Sequence, residues 1–215
     1  VILGDSISMG WGVNDNETFS YHLQNLLKKK VFNMGVSSYG TVREIKRLKQ
    51  SPYYEDIETI IIQYHRNDMF ENIKLDINKQ YGKDEYNENF NYEKIKNTNI
   101  KFILRNYKSA IRLFFSDIID IIFKEENLEL MNFDYDKEHL DKVITKNIDL
   151  NNKRVIVIVP IAPWQKLFNF PIENREIEYL LIKLNNEHFF IIDDHPNVLG
   201  HKEIASKIYD YLNTD

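Results

Sequence analysis

Short apolar runs alternate along the chain with segments whose apolar residues recur at helical spacing. The apolar runs lie at 1–3, 31–33, 59–63, 154–160 and 189–192, and each predicts a buried strand. One-faced helices are predicted around Phe19, Leu23, Leu26 and Leu27, over 41–49, and at the end of the chain. Strands that are apolar on both faces and alternate with helices predict an α/β fold. We therefore expect a three-layer α/β/α sandwich with a parallel, flavodoxin-like sheet.

The length of 215 residues suits one domain, interpreted here as residues 1–215 with an irregular and helical insertion at about 71–150. Residues 71–101 are rich in Asn, Lys, Glu and Tyr and show little periodicity, which is typical of a surface excursion. The next segment carries an apolar stripe that predicts a helix, made of Ile103, Tyr107, Ile111, Phe114, Ile118 and Ile122. That helix either packs on the sheet or forms a lid or acyl-chain wall over a site.

Composition narrows the function classes. The net charge of -5 provides no basic surplus for nucleic acid, and no partner of that kind is expected. The absence of cysteine excludes disulfides and a cysteine nucleophile, and the histidines lack metal-ligand spacing. No glycine-rich phosphate loop is present, so neither a metal nor a cofactor is expected. No apolar run is long enough to span a membrane, and residues upstream of Val1 are expected to be missing, which leaves localisation and oligomeric state open.

Polar residues follow four of the predicted strands. Gly-Asp-Ser at 4–6 follows the first strand, Gly35 the second, Asn-Asp at 67–68 the third, and Asp-Asp-His at 193–195 the last. In an open parallel sheet, ligands bind beyond the carboxyl ends of the strands. These four loops are therefore expected to converge on one edge of the sheet.

The string Gly-Asp-Ser-x-x-x-Gly-x-Gly-Val at 4–13 is the strongest chemical signal. Gly-Asp-Ser alone would indicate only a turn, but the longer string directly after an apolar strand resembles the first block of the SGNH hydrolases, also called GDSL-like esterases and lipases. The resemblance implies that Ser6 is the nucleophile. Because serine is a weak nucleophile at neutral pH, it needs an adjacent base.

The segment Asp-Asp-His-Pro at 193–196, followed by Gly-His at 200–201, resembles the last block of the same family. The resemblance implies that His195 is the general base. The commonest family spacing, Asp-x-x-His, would place the carboxylate where Ile192 stands. Asp193 is therefore the first choice for the third member of the triad, reached by a tight turn at Asp194, and Asp194 is the reserve.

The resemblance also implies an oxyanion hole. Its donors would be the backbone N–H of Ser6, Gly35 in the second block and Asn67 in the third. His65 stands where the third block usually has glycine, so its ring would either narrow the site or join it.

The resemblance implies a serine-dependent esterase or acyl hydrolase that acts on a small acyl ester of a small molecule or glycan, with carbohydrate O-acetyl esters among the candidates. One alternative is an O-acetyltransferase domain of a larger membrane-associated protein. Another is a non-catalytic binding module that keeps the fold.

Overall fold

The computed structural model describes residues 1–65, 68, 133–163, 176–191 and 193–214. The chain divides into two compact units, Val1–Lys79 with Asn132–Phe189 and His195–Asp215, and Gln80–Met131 with Phe190–Asp194. The polar segment 71–101 and the apolar stripe at 103–122 lie outside the described residues. Within those residues, none of the helices is both long and apolar enough to cross a membrane.

The main sheet contains four parallel strands. They are β1 (Ile2–Leu3), β2 (Thr59–Gln63), β3 (Arg154–Ile161) and β4 (Glu178–Lys183), hydrogen-bonded in that order. Asn33 forms a parallel bridge to Ile2 on the free side of β1. When this segment is counted as the second in the chain, the order is 2-1-3-4-5, the doubly wound flavodoxin order. The predicted fold class is confirmed.

Helices cover both faces of the sheet. They are α1 (Ser6–Met9), α2 (Phe19–Leu27), α3 (Thr41–Lys49), α4 (Phe133–Asn147) and α5 (Val198–Leu212), and a 3-10 turn (Asp15–Glu17) precedes α2. Alternate strand residues point to opposite sides, as the two-residue period of a strand requires. One core joins Leu3, Ile60, Ile62, Val155 and Val157 to α3 and α4. The other joins Ile2, Ile61, Ile156 and Ile158 to α2 and α5.

Two predicted strands differ from the structure. The segment 31–33 forms only the single bridge to β1, held by hydrogen bonds of 2.8 Å from Ile2 N to the Phe32 oxygen and from Met34 N to the Ile2 oxygen. The described part of the run at 189–192 does not join the main sheet. It contributes β5 (Phe189–Phe190), which pairs with β6 (Asp193–Pro196) in a separate two-stranded sheet. Ile191 is 75% exposed, so an apolar run alone did not specify burial.

The edge strand β4 was not predicted from the sequence. In its sequence Glu-Tyr-Leu-Leu-Ile-Lys only Tyr179 and Ile182 are buried, and β4 has a neighbour on one side alone. The mixture of charged and apolar residues fits an edge strand, which faces water along its open side. β4 also carries Glu178, whose carboxylate accepts two hydrogen bonds of 2.7 Å from Arg154 of β3.

Candidate active site

Ser6 is the first residue of α1, at the corner where β1 ends. Asp5 begins this helix, because its buried side chain accepts a hydrogen bond of 3.0 Å from Ile7 N. Gly10 ends the helix after four residues by adopting a left-handed conformation, with φ 89°. The strand and the two caps thus fix the serine at the carboxyl end of β1.

The structure brings Ser6 and His195 together across 189 positions of sequence. His195 Nε2 lies 2.8 Å from Ser6 Oγ, and both side chains are half-buried. Among the described residues, the backbone N–H of Ser6 has no hydrogen-bond acceptor, and it lies in the first turn of α1, where such groups have no partner within the helix. The pair therefore has the geometry of a nucleophile and its base.

The histidine is held by the start of α5. Asn197 caps this helix with hydrogen bonds from Leu199 N at 2.9 Å and Gly200 N at 3.1 Å. The Asn197 amide also donates to the Phe189 oxygen at 2.9 Å. Asn197 thus fixes the backbone two residues after His195.

The backbone before His195 is extended and does not turn. We expected a tight turn at Asp194, and this expectation is wrong, because Asp193, Asp194 and His195 all lie in β6. In this strand Asp193 and His195 are half-buried, whereas Asp194 is exposed. Side chains two residues apart leave a strand on the same side, so strand geometry takes the place of the expected turn.

Gly35 lies against the backbone of α1. A Cβ atom at this position would be 2.4 Å from Met9 N and 2.7 Å from the Ser8 carbonyl carbon, so any side chain would displace the helix that carries Ser6. The Gly35 N–H donates to Asn33 Oδ1 at 2.9 Å. The amide of Asn33 in turn donates to the Ser8 oxygen at 2.6 Å, which ties the segment after Phe32 to α1.

The third block is described in part. Asn67 lies outside the described residues. His65 is half-buried, and its N–H donates to Asp68 Oδ2 at 2.9 Å. The Asp68 N–H donates back to the His65 oxygen at 2.9 Å, so two hydrogen bonds join these residues shortly after β2.

Gln63 and Asn33 were not identified from the sequence. Gln63 is fully buried, and its Oε1 accepts hydrogen bonds from Asp5 N at 3.3 Å, Ser8 N at 3.2 Å and Ser8 Oγ at 3.1 Å. The side chain of Gln63, at the end of β2, thus bonds to the backbone on both sides of Ser6. The signal that could have revealed both residues is a polar residue that closes an apolar run.

A second histidine lies in the core between α2 and α5. His201 is fully buried, and its Nδ1 accepts a hydrogen bond of 3.1 Å from Phe19 N. Burial lowers the pKa of His201 to about 4, and positive charge on His22 and on His195 acts in the same direction. The ring is therefore neutral at pH 7 and links the two helices. Within the described ranges, no cluster of three His, Asp or Glu residues is arranged to hold a metal ion.

Comparison with known proteins supports the fold. No protein-family model matches the sequence, and no curated protein matches it. The structure is similar to that of a Desulfitobacterium hafniense DCB-2 protein described as a G-D-S-L family member with an inferred lipolytic activity. The TM-score is 0.51 at 11% identity, over 97% of this chain and 96% of the other. At this level of identity the likeness shows a shared fold.

Proposed function

We propose that the protein is a serine hydrolase of the SGNH type that cleaves carboxylic esters through Ser6 and His195. The observation that supports this proposal most directly is the 2.8 Å distance between Ser6 Oγ and His195 Nε2. Ser6 lies at the carboxyl end of β1, and in doubly wound folds ligands bind beyond the carboxyl ends of the strands.

In the proposed reaction, the Ser6 hydroxyl gives its proton to His195 Nε2 while Oγ attacks the ester carbonyl carbon. The tetrahedral intermediate then collapses, and the imidazolium returns that proton to the alcohol oxygen as its bond to the acyl carbon breaks. Water then attacks the acyl-enzyme carbonyl while His195 takes its proton, and the imidazolium returns that proton to Ser6 Oγ as the bond from Oγ to the acyl carbon breaks, which releases the carboxylic acid. No metal or cofactor takes part in this proposal.

Nε2 accepts a proton from Ser6 only if the other ring nitrogen of His195 carries the hydrogen. We assign the carboxylate that stabilises this tautomer to Asp193 rather than Asp194. Support for this assignment comes from the alternation along β6, which directs the side chains of residues 193 and 195 to the same side of the strand.

The proposed oxyanion hole has one donor that is already available and one that is engaged. The Ser6 N–H has no acceptor among the described residues, and it lies beside the reacting oxygen. The Gly35 N–H donates to Asn33 Oδ1. Gly35 can therefore act as an oxyanion donor only if its N–H leaves Asn33 Oδ1 for the substrate oxygen, or donates to both oxygens, as charge develops on the substrate. Asn67 remains a prediction from the sequence.

The substrate class that we propose is a small acyl ester. The test is release of 4-nitrophenol from 4-nitrophenyl acetate by the purified protein and by Ser6→Ala. The proposal expects saturable hydrolysis by the wild type and a loss of about 10⁴-fold or more in kcat for the variant, with an unchanged circular dichroism spectrum. Equal rates for the two proteins would overturn the assignment of Ser6.

A further inference from the structure

An exposed indole lies beside the proposed base. The ring centroids of Trp11 and His195 are 5.9 Å apart, and the two planes are inclined by 36°. Although tryptophan has the largest apolar side chain, Trp11 is 49% exposed. A large aromatic surface left half in water next to a reactive pair is available to a ligand.

The backbone of Trp11 is fixed to the nucleophile itself. Its N–H donates to the Ser6 oxygen at 3.0 Å, and the Gly10 N–H donates to the Ile7 oxygen at 3.2 Å. This pair of hydrogen bonds, with a left-handed glycine between, brings the residue after the glycine back against the start of the helix. The position of the Trp11 backbone relative to Ser6 is thus set by the fold of α1.

The contact with His195 identifies the part of the substrate that Trp11 would meet. The imidazolium must reach the alcohol oxygen to protonate it, so the alcohol part of an ester lies next to His195. The acyl oxygen lies instead at the N–H donors of the oxyanion hole. A side chain that contacts the ring of His195 is therefore on the alcohol side of the site.

We propose that Trp11 binds the alcohol part of the substrate and that this part is a sugar ring; the inference rests on the proposed function. The face of an indole carries negative charge density, which attracts the C–H groups on the face of a sugar ring. The hydroxyls of such a ring stay in water, which matches a platform that is itself half-exposed. A long alkyl chain gains instead from being enclosed by apolar walls, away from water.

The test uses three esters with the same acyl group: glucose pentaacetate, decyl acetate and ethyl acetate. Acetic acid release is followed by titration for the wild type, Trp11→Ala and Trp11→Phe. Tyr53→Ala removes an aromatic side chain that is 59% exposed and precedes β2, and serves as the control. Relative to ethyl acetate, kcat/KM for glucose pentaacetate is expected to fall about 5- to 10-fold in Trp11→Ala, mainly through KM. Trp11→Phe is expected to keep most of the wild-type kcat/KM for glucose pentaacetate. Tyr53→Ala is expected to keep the wild-type ratio of kcat/KM for glucose pentaacetate to kcat/KM for ethyl acetate.

The remaining outcomes separate the two proposals. If the wild type hydrolyses ethyl acetate but not glucose pentaacetate, or if Trp11→Ala leaves the ratio unchanged, the sugar assignment is wrong and the esterase remains. An equal fall for decyl acetate would show a general apolar contact and would also overturn the sugar class. A wild type that is inactive on all three esters would instead contradict the proposed function.

Discussion

Gln63 Oε1 accepts one hydrogen bond from Ser8 N at 3.2 Å and another from Ser8 Oγ at 3.1 Å. Because a backbone N–H only donates, the amide of Gln63 must present its oxygen to α1. The end of β2 therefore positions the short helix that begins with the proposed nucleophile, although neither residue contacts the substrate in our mechanism.

Replacement of Gln63 should show whether its side chain positions α1 through hydrogen bonds or only fills space in the core. Gln63→Leu leaves buried donors of α1 without an acceptor, which costs about 2–4 kcal/mol in the free energy of unfolding. Displacement of Ser6 by about 1 Å is expected to lower kcat on the order of 10²-fold. Gln63→Glu keeps an oxygen in place and should retain more of kcat at equal folded fraction. Urea unfolding and steady-state kinetics measure both effects.

A wild-type kcat in Gln63→Leu would contradict this positioning role. If Gln63→Glu and Gln63→Leu lose the same share of kcat, the acceptor oxygen of Gln63 is not what positions Ser6.

The sequence predicted the regular part of the fold because its signals are local. The predicted helix at 41–49 and strand at 59–63 coincide with α3 and β2, since each is a periodic run between polar or glycine positions. β4 was missed because charged residues, Glu178 and Lys183, stand at both ends of its short apolar run, a composition that edge strands tolerate. The apolar run at 189–192 predicted a buried strand, yet Ile191 is exposed, because the burial of a strand depends on which elements pack against it.

Some residues of the candidate site could likewise be predicted from local sequence signals, and others are recognised only in the folded structure. Ser6 and His195 could be named because the family resemblance assigns a role to each, whereas it assigns none to Gln63 or Asn33, which open the third and second blocks. A polar residue after an apolar run also fits the first residue of an exposed loop, and only the fold shows that Gln63 is fully buried. The register of Asp193 depended on whether the chain turns or stays extended at Asp194, which is a property of the pairing between β5 and β6.

Asp193→Asn is expected to lower kcat far more than Asp194→Asn. Loss of the orienting carboxylate favours the wrong imidazole tautomer, which costs up to about 10⁴-fold in a serine triad. Asp194 is exposed in β6, and its replacement should change kcat less than about threefold. Parallel kinetics on 4-nitrophenyl acetate compare the two variants, and the opposite order would assign the carboxylate to Asp194.

His201 makes stability depend on pH. Its pKa is lowered from 6.5 to about 4 in the folded protein, so the unfolded chain binds the proton first as the pH falls. The contribution of the neutral ring is complete above the unfolded pKa and is lost progressively as the pH falls toward the folded value. Between about pH 7 and about pH 5 the free energy of unfolding should fall by about 2 kcal/mol from this group.

His201→Asn provides the control, because its side-chain oxygen can accept from Phe19 N in place of Nδ1 and does not titrate. The variant is expected to be less stable near pH 8 but to show a flatter pH dependence in urea unfolding. His22→Gln should keep most of the wild-type slope, although burial also lowers the pKa of His22. A slope in His201→Asn equal to that of the wild type would show that other groups dominate.

Covalent labelling of Ser6 tests the central claim most directly. A fluorophosphonate reacts with an activated serine and leaves a stable adduct that mass spectrometry locates by peptide. We expect one adduct per chain, on Ser6, with loss of ester hydrolysis, and a labelling rate about 10²–10⁴-fold lower in His195→Ala. Absence of an adduct on the folded wild type, or an adduct on a different residue, would contradict the account.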